Sequence, residues 1–203
     1  MSNFASNFWD ERYSSHEYVY GIEPNEFFKQ QLDYIQPGKL LLPGEGEGRN
    51  AVYAAKCGWL VDAFDQSINA QKKALWLAEK NNVNINYTVV DLNKFTPTTN
   101  YYNAAAIIFV HFDPRVREIF HQKIIDSIKP GGKIILELFS KKQLGKNSGG
   151  PQELEMLYSL DDALNDFKEM KNILLEEKNL FLDEGAKHSG DGSVIRFVGQ
   201  KVE

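Results

Sequence analysis

Leu40-Leu41-Leu42-Pro43-Gly44-Glu45-Gly46-Glu47-Gly48-Arg49-Asn50 decides the fold, because an apolar run breaks into glycines at every second position and then resumes as a helix. It reads as a strand, a tight turn and a helix N-terminus with no bulky side chain in a ligand's way. Glycine suits a backbone that takes a positive φ or lets a ligand pass close. A helix starting at Arg49 or Asn50 presents unpaired N–H groups in its first turn. Such a turn either binds a nucleotide-like or carboxylate-bearing cofactor or is a purely structural link.

The next element favours the cofactor. Gly58 closes the helix, Trp59 to Phe64 reads as a second strand, and Asp65 ends it. An acid about twenty residues beyond the glycines accepts hydrogen bonds from ribose hydroxyls in nucleotide-binding α/β folds; the alternative is that Asp65 only terminates a strand. Gly44, Gly46 and Gly48 give G-x-G-x-G, and Arg49 and Asn50 leave no glycine to complete the dinucleotide pattern G-x-G-x-x-G. That spacing favours S-adenosylmethionine over NAD. The expected cofactor-binding set is Gly44, Glu45, Gly46, Arg49, Asn50, Asp65, Gln66 and Ser67. Asp91, at the end of Tyr87–Val90, joins it as acceptor for an adenine amino group or else caps a turn, and Leu92 and Val110 pack the ring.

Working outward, strands are expected at 40–43, 59–64, 86–90, 104–110 and 133–139, alternating with helices at 49–57, 68–81 and 115–128. Such alternation implies a parallel sheet covered on both faces. Ser67 is the expected N-cap of the second helix, Asp113 with Pro114 that of the third, and Pro130-Gly131-Gly132 turns into the next strand. Gln143 to Gly150 reads as a loop over the site, and Ser159 with Asp162 opens a short helix at 160–168. Asn172–Leu182 and Ser193–Val202 read as two strands joined by Gly185–Gly192. Residues 1–36 form an aromatic-rich helical cap, in which Phe27 and Phe28 pack, and residues 37–203 the core.

The 203 residues make one domain, and a net charge of −5 argues against a nucleic-acid footprint. No run approaches membrane-spanning length, and the start Met1-Ser2-Asn3-Phe4 has no leader character. With a single cysteine, Cys57, expected to pack in a helix, the chain is read as a cytoplasmic protein with a small-molecule substrate, its oligomeric state open. The four histidines are scattered, so no metal site is expected, and His16 and His121 are read as exposed helix residues.

The chain resembles the class I S-adenosylmethionine-dependent methyltransferases, and among them the tellurite-resistance (TehB-like) group. The resemblance rests on Trp9-Asp10-Glu11-Arg12-Tyr13, Glu17-Tyr18-Val19-Tyr20-Gly21 with Glu23-Pro24-Asn25, the glycine stretch, Lys129-Pro130-Gly131-Gly132, Asn147 with Gly149-Gly150-Pro151, and Leu182-Asp183-Glu184-Gly185 with His188 and Gly190. It implies a single Rossmann-like α/β domain with a seven-stranded, mostly parallel sheet and an antiparallel C-terminal hairpin. It also implies methyl transfer to a small acceptor such as a chalcogen oxyanion or a thiol. His188 lies in a block similar to the group's active-site loop, where it takes a proton from the acceptor or binds an oxyanion. Arg196 matches an arginine of the group and either holds an anionic substrate or is a surface strand residue. His111, ending a central strand, either polarises the substrate or shapes the floor of the site. Arg12, Tyr13 and Tyr20 are expected to close over the methionine end of the cofactor, Arg12 pairing with its carboxylate or else with Asp10 or Glu11. One departure stands out: the acid usual two residues before the first glycine is Leu42 here, so its contact is supplied by Glu45 or is absent. A non-catalytic module that senses S-adenosylmethionine or its product is the rival reading, an NAD-binding oxidoreductase a more distant one.

Overall fold

The computed structural model describes residues 8–92 and 94–202; residues 1–7 of the expected cap lie outside them. The strands are β1 (Lys39–Pro43), β2 (Leu60–Asp65), β3 (Asn86–Val89), β4 (Tyr102–Ile108), β5 (Ile128–Phe139), β6 (Met170–Asp183) and β7 (Ser189–Lys201). The helices are α1 (Glu26–Leu32), α2 (Arg49–Lys56), α3 (Ile68–Lys80), α4 (Pro114–Ser127) and α5 (Leu160–Asp166), with a helical turn over residues 8–12. The sheet order is β3-β2-β1-β4-β5-β7-β6, all neighbours parallel except β7, which runs antiparallel to both β5 and β6. This is the expected seven-stranded α/β sheet of a Rossmann-like methyltransferase with its C-terminal hairpin.

The strand period of two assigns the two faces of the sheet. Leu40, Leu42, Ala104, Ala106 and Ile135 point to the layer built by Phe27, Phe28 and Leu32 of α1, Ala51 and Ala54 of α2 and Ala74 of α3. Leu41, Ala105, Ile107, Ile134 and Leu136 point to the opposite layer, with Phe120, Ile124 and Ile125 of α4 and Ala163 of α5. β1 and β4 are adjacent where the strand order reverses, so a crevice opens beyond their carboxyl ends, where ligands of such sheets bind.

Several expectations change in detail. Among its described residues the cap is helical only over residues 8–12 and α1, and turns connect the two. β4 ends at Ile108, leaving Phe109, Val110 and His111 beyond it. Pro130-Gly131-Gly132 does not precede β5 but lies inside it: Tyr102 pairs with Ile128 and Ala104 with Lys133, so the turn is a wide bulge in the ladder. The hairpin connection is shorter than Gly185–Gly192, because Asp183 already pairs with Ser189. Cys57 is exposed at the end of α2, not packed. His121 is fully buried, its Nδ1 2.9 Å from Asp166 Oδ2, whereas His16 is exposed but lies in a bend.

Candidate functional site

The glycines that follow β1 have three separate reasons to be glycine. Gly44, Gly46 and Gly48 take φ of +61°, +64° and +90°, conformations a side chain disfavours. A Cβ on Gly44 would stand 2.8 Å from Val110 and 3.5 Å from Leu92, the apolar wall expected there. On Gly46 it would stand 2.9 Å from the Tyr13 hydroxyl, and on Gly48 2.7 Å from Ala74 Cα. Gly44 and Gly46 therefore let Val110 and Tyr13 close on the turn, and Gly48 lets α2 pack on α3.

Charges around this turn are anchored. Leu42 is a fully buried core residue, so no acid acts from that place. The Glu45 carboxylate accepts the Ala51 N–H at 2.7 Å, satisfying one of the free donors at the start of α2. Burial pushes the Glu45 carboxyl up to about 7, against the pull of that bond and of Arg49. Glu47 accepts the Val19 N–H at 2.8 Å and pairs with Lys73 at 2.6 Å, tying the cap to the turn. Asp65 accepts from the Gly46 N–H (3.2 Å) and the Ser67 N–H (2.9 Å) on different oxygens. Burial raises its carboxyl to about 6 while those N–H groups oppose the shift. Gln66 lies half-buried between them, and Ser67 caps α3 through the Ala70 N–H while donating its hydroxyl to Asp10 at 2.6 Å. The Asp91 carbonyl closes a turn by accepting from Lys94 and Phe95.

Over this floor lies the cap. Tyr13 is buried against Gly46, stacks on Trp9 and meets Tyr20 edge-on at 6.3 Å. Arg12 donates to the Tyr20 hydroxyl at 3.2 Å and does not pair with Asp10, whose carboxylate serves Ser67 and the Asn69 N–H. A cleft of about 330 Å³ opens beside it, lined among others by Arg12, Tyr20, Lys146, Lys187, Gly149 and His188.

His188 sits at the inner end of that cleft. Its ring is packed by Tyr20 (4.5 Å), Phe109 (4.6 Å) and Phe139 (5.2 Å), so packing and exposure to the cleft coexist. Phe109 reaches it from a positive φ of +55°, rare for an aromatic residue. Burial pushes the His188 ring below the usual histidine range, with Arg49 and Arg12 adding to the effect and Glu184 opposing it. The Nδ1 atom is buried without a hydrogen-bond partner, 3.8 Å from Glu184 Oε2.

Four of the expected site residues are engaged elsewhere, His111 in the floor-shaping one of its two expected roles. His111 Nδ1 lies 2.9 Å from the Met156 carbonyl and its Nε2 accepts the Phe139 N–H at 3.3 Å, so the neutral ring braces the floor and has no free nitrogen for a substrate. Burial lowers its pKa to about 4, with the Met156 bond opposing. Arg196 is buried over Phe27, paired with Glu137 and 3.7 Å from Glu176, so its charge is already balanced and it is not poised to hold an anion. Arg49 turns away from the glycine turn to Glu184 (2.6 Å) and the Tyr20 carbonyl (3.3 Å), and Asn50 accepts the Asn25 N–H at 2.9 Å.

Sequence reasoning missed the polar residues that assemble these pieces. Asn25 donates to both Glu137 (2.6 Å) and Glu184 (2.8 Å), and Tyr87 donates to the Gly46 carbonyl at 2.6 Å. An acid amid Ile134-Ile135-Leu136-Glu137-Leu138-Phe139 is a legible signal, since a buried carboxylate requires partners. Among the described residues no cluster of His, Cys, Asp and Glu fits a metal, and no helix is long and apolar enough to cross a membrane.

Comparison with known proteins agrees with the fold. The family model described as "Tellurite resistance protein TehB" matches residues 7–144. No curated protein sequence matches. Among solved structures, the chain is similar to one described under "Conversion of a Disulfide Bond into a Thioacetal Group during Echinomycin Biosynthesis", with TM-score 0.75, 16% identity, and coverage of 100% of this chain and 92% of that one. TehB from Haemophilus influenzae follows at TM-score 0.73 and 15% identity, covering 97% of this chain and 66% of that one. An S-adenosylmethionine-dependent methyltransferase from Methanosarcina mazei gives 0.69 and 15%, covering 89% and 99%. At such identities the likeness concerns the fold.

Proposed function

The chain belongs to the tellurite resistance TehB family, and from that premise we propose that it is an S-adenosylmethionine-dependent methyltransferase for a small soft or anionic acceptor, a chalcogen oxyanion or a thiol. The carrying observation is a single histidine, His188, held at the inner end of a polar cleft with Arg12, Lys146 and Lys187, while Tyr20 of the same cleft meets the Tyr13 ring that covers Gly46. The site's residues fit the cofactor: Gly44 and Gly46 form a cradle free of side chains of its own, closed here by Val110 and Tyr13, and a carboxylate, Asp65, stands at the end of the next strand. Asp65 would take the ribose hydroxyls, Asp91 the adenine amino group, Leu92 and Val110 the ring, and Arg12 the carboxylate. Tyr13 lies on Gly46, so the cap is the element that admits the ligand.

When bound, the cofactor supplies a methyl group on a cationic sulfur, an activated leaving group. What remains for the protein is to align the acceptor, exclude water and take a proton. Lys146 and Lys187 draw an anionic acceptor into the cleft. His188 Nε2 would take the proton of a thiol-like acceptor whose lone pair displaces the cofactor's sulfur from the methyl group, leaving the neutral thioether, and Tyr20 and Phe109 keep water from the ring. The single, exposed cysteine supports a reducing, intracellular setting.

Calorimetric titration with S-adenosylmethionine, its demethylated product and NAD, followed by an acceptor screen read as methylated product, tests the proposal. Binding of the first two with turnover is expected. Binding without turnover on any acceptor leaves a sensing module, and preference for NAD overturns the reading.

A further inference from the structure

One carboxylate sits between the cap, the glycine-turn helix and the cleft. Glu184 Oε1 accepts from Asn25 of the cap, and Oε2 accepts from Arg49, the first residue of α2, while standing 3.8 Å from His188 Nδ1. The backbone holds it there: the Glu184 N–H donates to the His188 carbonyl at 2.8 Å, and the His188 N–H to the Gly185 carbonyl at 3.2 Å. Gly185 is packed so closely on the cap that a Cβ would stand 2.5 Å from the Gly21 nitrogen. Nδ1 is buried and unpartnered, and a shift of under 1 Å would bring it into hydrogen-bond range of the carboxylate.

We propose that Glu184 is a positioning residue for His188: it fixes the tautomer with the proton on Nδ1, leaving Nε2 as the base, and it does so only while Arg49 and Asn25 hold it between the glycine-turn helix and the cap. The inference rests on the role of His188 proposed above and extends it. Carboxylate, imidazole and guanidinium then form one unit, in which closing the cap over the cradle aligns the base. An acceptor proton arriving at Nε2 makes an imidazolium whose charge Glu184 balances, as an acidic partner does for a catalytic histidine. The charged or titratable groups around the ring from the neighbouring elements are Glu184, Arg49, Arg12 and His111, with Lys146 and Lys187 lining the same cleft and Tyr20 packed against the ring. Of these only Glu184 favours the protonated ring. Buried among that ring and Arg49, its own carboxyl is held down at about 2 even though burial alone would raise it.

The test is Glu184→Gln, nearly isosteric and without charge, read in two ways. Histidine Cε1–H resonances followed by NMR across pH 4.5–8.5 in the ligand-free protein report the His188 titration directly, with His16, His111 and His121 as internal references. Steady-state kinetics report kcat, KM and the pH profile. We expect the His188 midpoint to move to lower pH, cofactor Kd to stay within about threefold of wild type, and kcat to fall about 10- to 100-fold. Glu184→Asp, which keeps the charge on a shorter arm, should recover part of the rate. If Glu184→Gln does not fold, the same resonance is read in Glu184→Asp, where the midpoint should still fall. An unchanged His188 midpoint overturns the proposal whatever the rate. A shifted midpoint with His188→Ala fully active leaves the Glu184–His188 contact standing and instead removes His188 from the chemistry.

Discussion

Asp65 has two functions that pull against each other. Its carboxylate accepts two backbone N–H groups, yet burial keeps its pKa near 6. A folded-state value raised from 3.8 means a stability contribution present below pH 4 and lost as pH rises through about 6. Asp65→Ala should therefore gain stability relative to wild type between pH 4.5 and 8, by about 1–3 kcal/mol, while binding S-adenosylmethionine more weakly by about 1.5–3 kcal/mol, as expected when hydrogen bonds to a charged group are lost. Parallel melts at the two pH values and calorimetry at pH 7.5 check both. A pH-independent difference in melting temperature contradicts the buried-charge account, and unchanged affinity removes Asp65 from the ribose site. The same buried chemistry separates the two histidines of the site. His111 has both ring nitrogens occupied by backbone groups and only braces the floor, whereas His188 has one nitrogen near a carboxylate and an edge on the cleft.

Element boundaries explain why the glycines are not equivalent. Ala at Gly46 meets a tyrosine hydroxyl that can swing aside, so Gly46→Ala should fold with a loss of roughly 1–3 kcal/mol, from the positive φ and the forced shift, but lose cofactor binding. Ala at Gly48 meets the backbone of α3, which cannot yield, so Gly48→Ala should lose more stability than Gly46→Ala or fail to fold. Equal melting temperatures for the two would contradict this distinction. The cap is tied by Glu47, buried with Lys73 against it; Glu47→Ala leaves that lysine without a counter-charge, held only by the Glu17 carbonyl and the Tyr18 ring, and frees the Val19 amide. A loss of about 3–5 kcal/mol, with faster hydrogen exchange at Val19, is expected, and unchanged exchange would show the cap to be held by its aromatic rings instead. These contacts also mark what the sequence could carry. The β1–turn–α2 unit, Ser67 as a cap and the Asp113–Pro114 start of α4 were legible because their causes are local: period, glycine φ and capping. The destinations of Arg49 and Arg196 were not, because each depends on a partner more than fifty residues away, Glu184 for Arg49 and Glu137 for Arg196, and the bulge inside β5 and the short hairpin turn were not, because they are set by the pairing register of whole strands.

Across the whole molecule, the strand order brings the end of β1, the cap and the β6–β7 turn to one rim, although the cap and that turn stand some 160 residues apart in the chain, as Asn25 and Glu184 do. The parallel half of the sheet supplies the cradle, the antiparallel hairpin supplies His188, and the cap spans both. Binding and chemistry should accordingly be separable by mutation. His188→Ala removes a ring packed by three aromatics but touches no part of the glycine turn, so cofactor Kd should remain near wild type while kcat falls roughly 10²- to 10⁴-fold, the usual contribution of general acid–base catalysis. The pH profile adds a sign. Burial and the neighbouring arginines disfavour the charged ring, so the base form prevails at neutral pH, and wild-type kcat/KM should be flat above pH 7 and decline toward acid with an inflection below the ordinary 6.5. The variant should lack that inflection. If affinity and rate fall together, the β6–β7 turn works as a lid on the cofactor; if both proteins share one pH profile, His188 is a wall of the cleft and the proton leaves by another route.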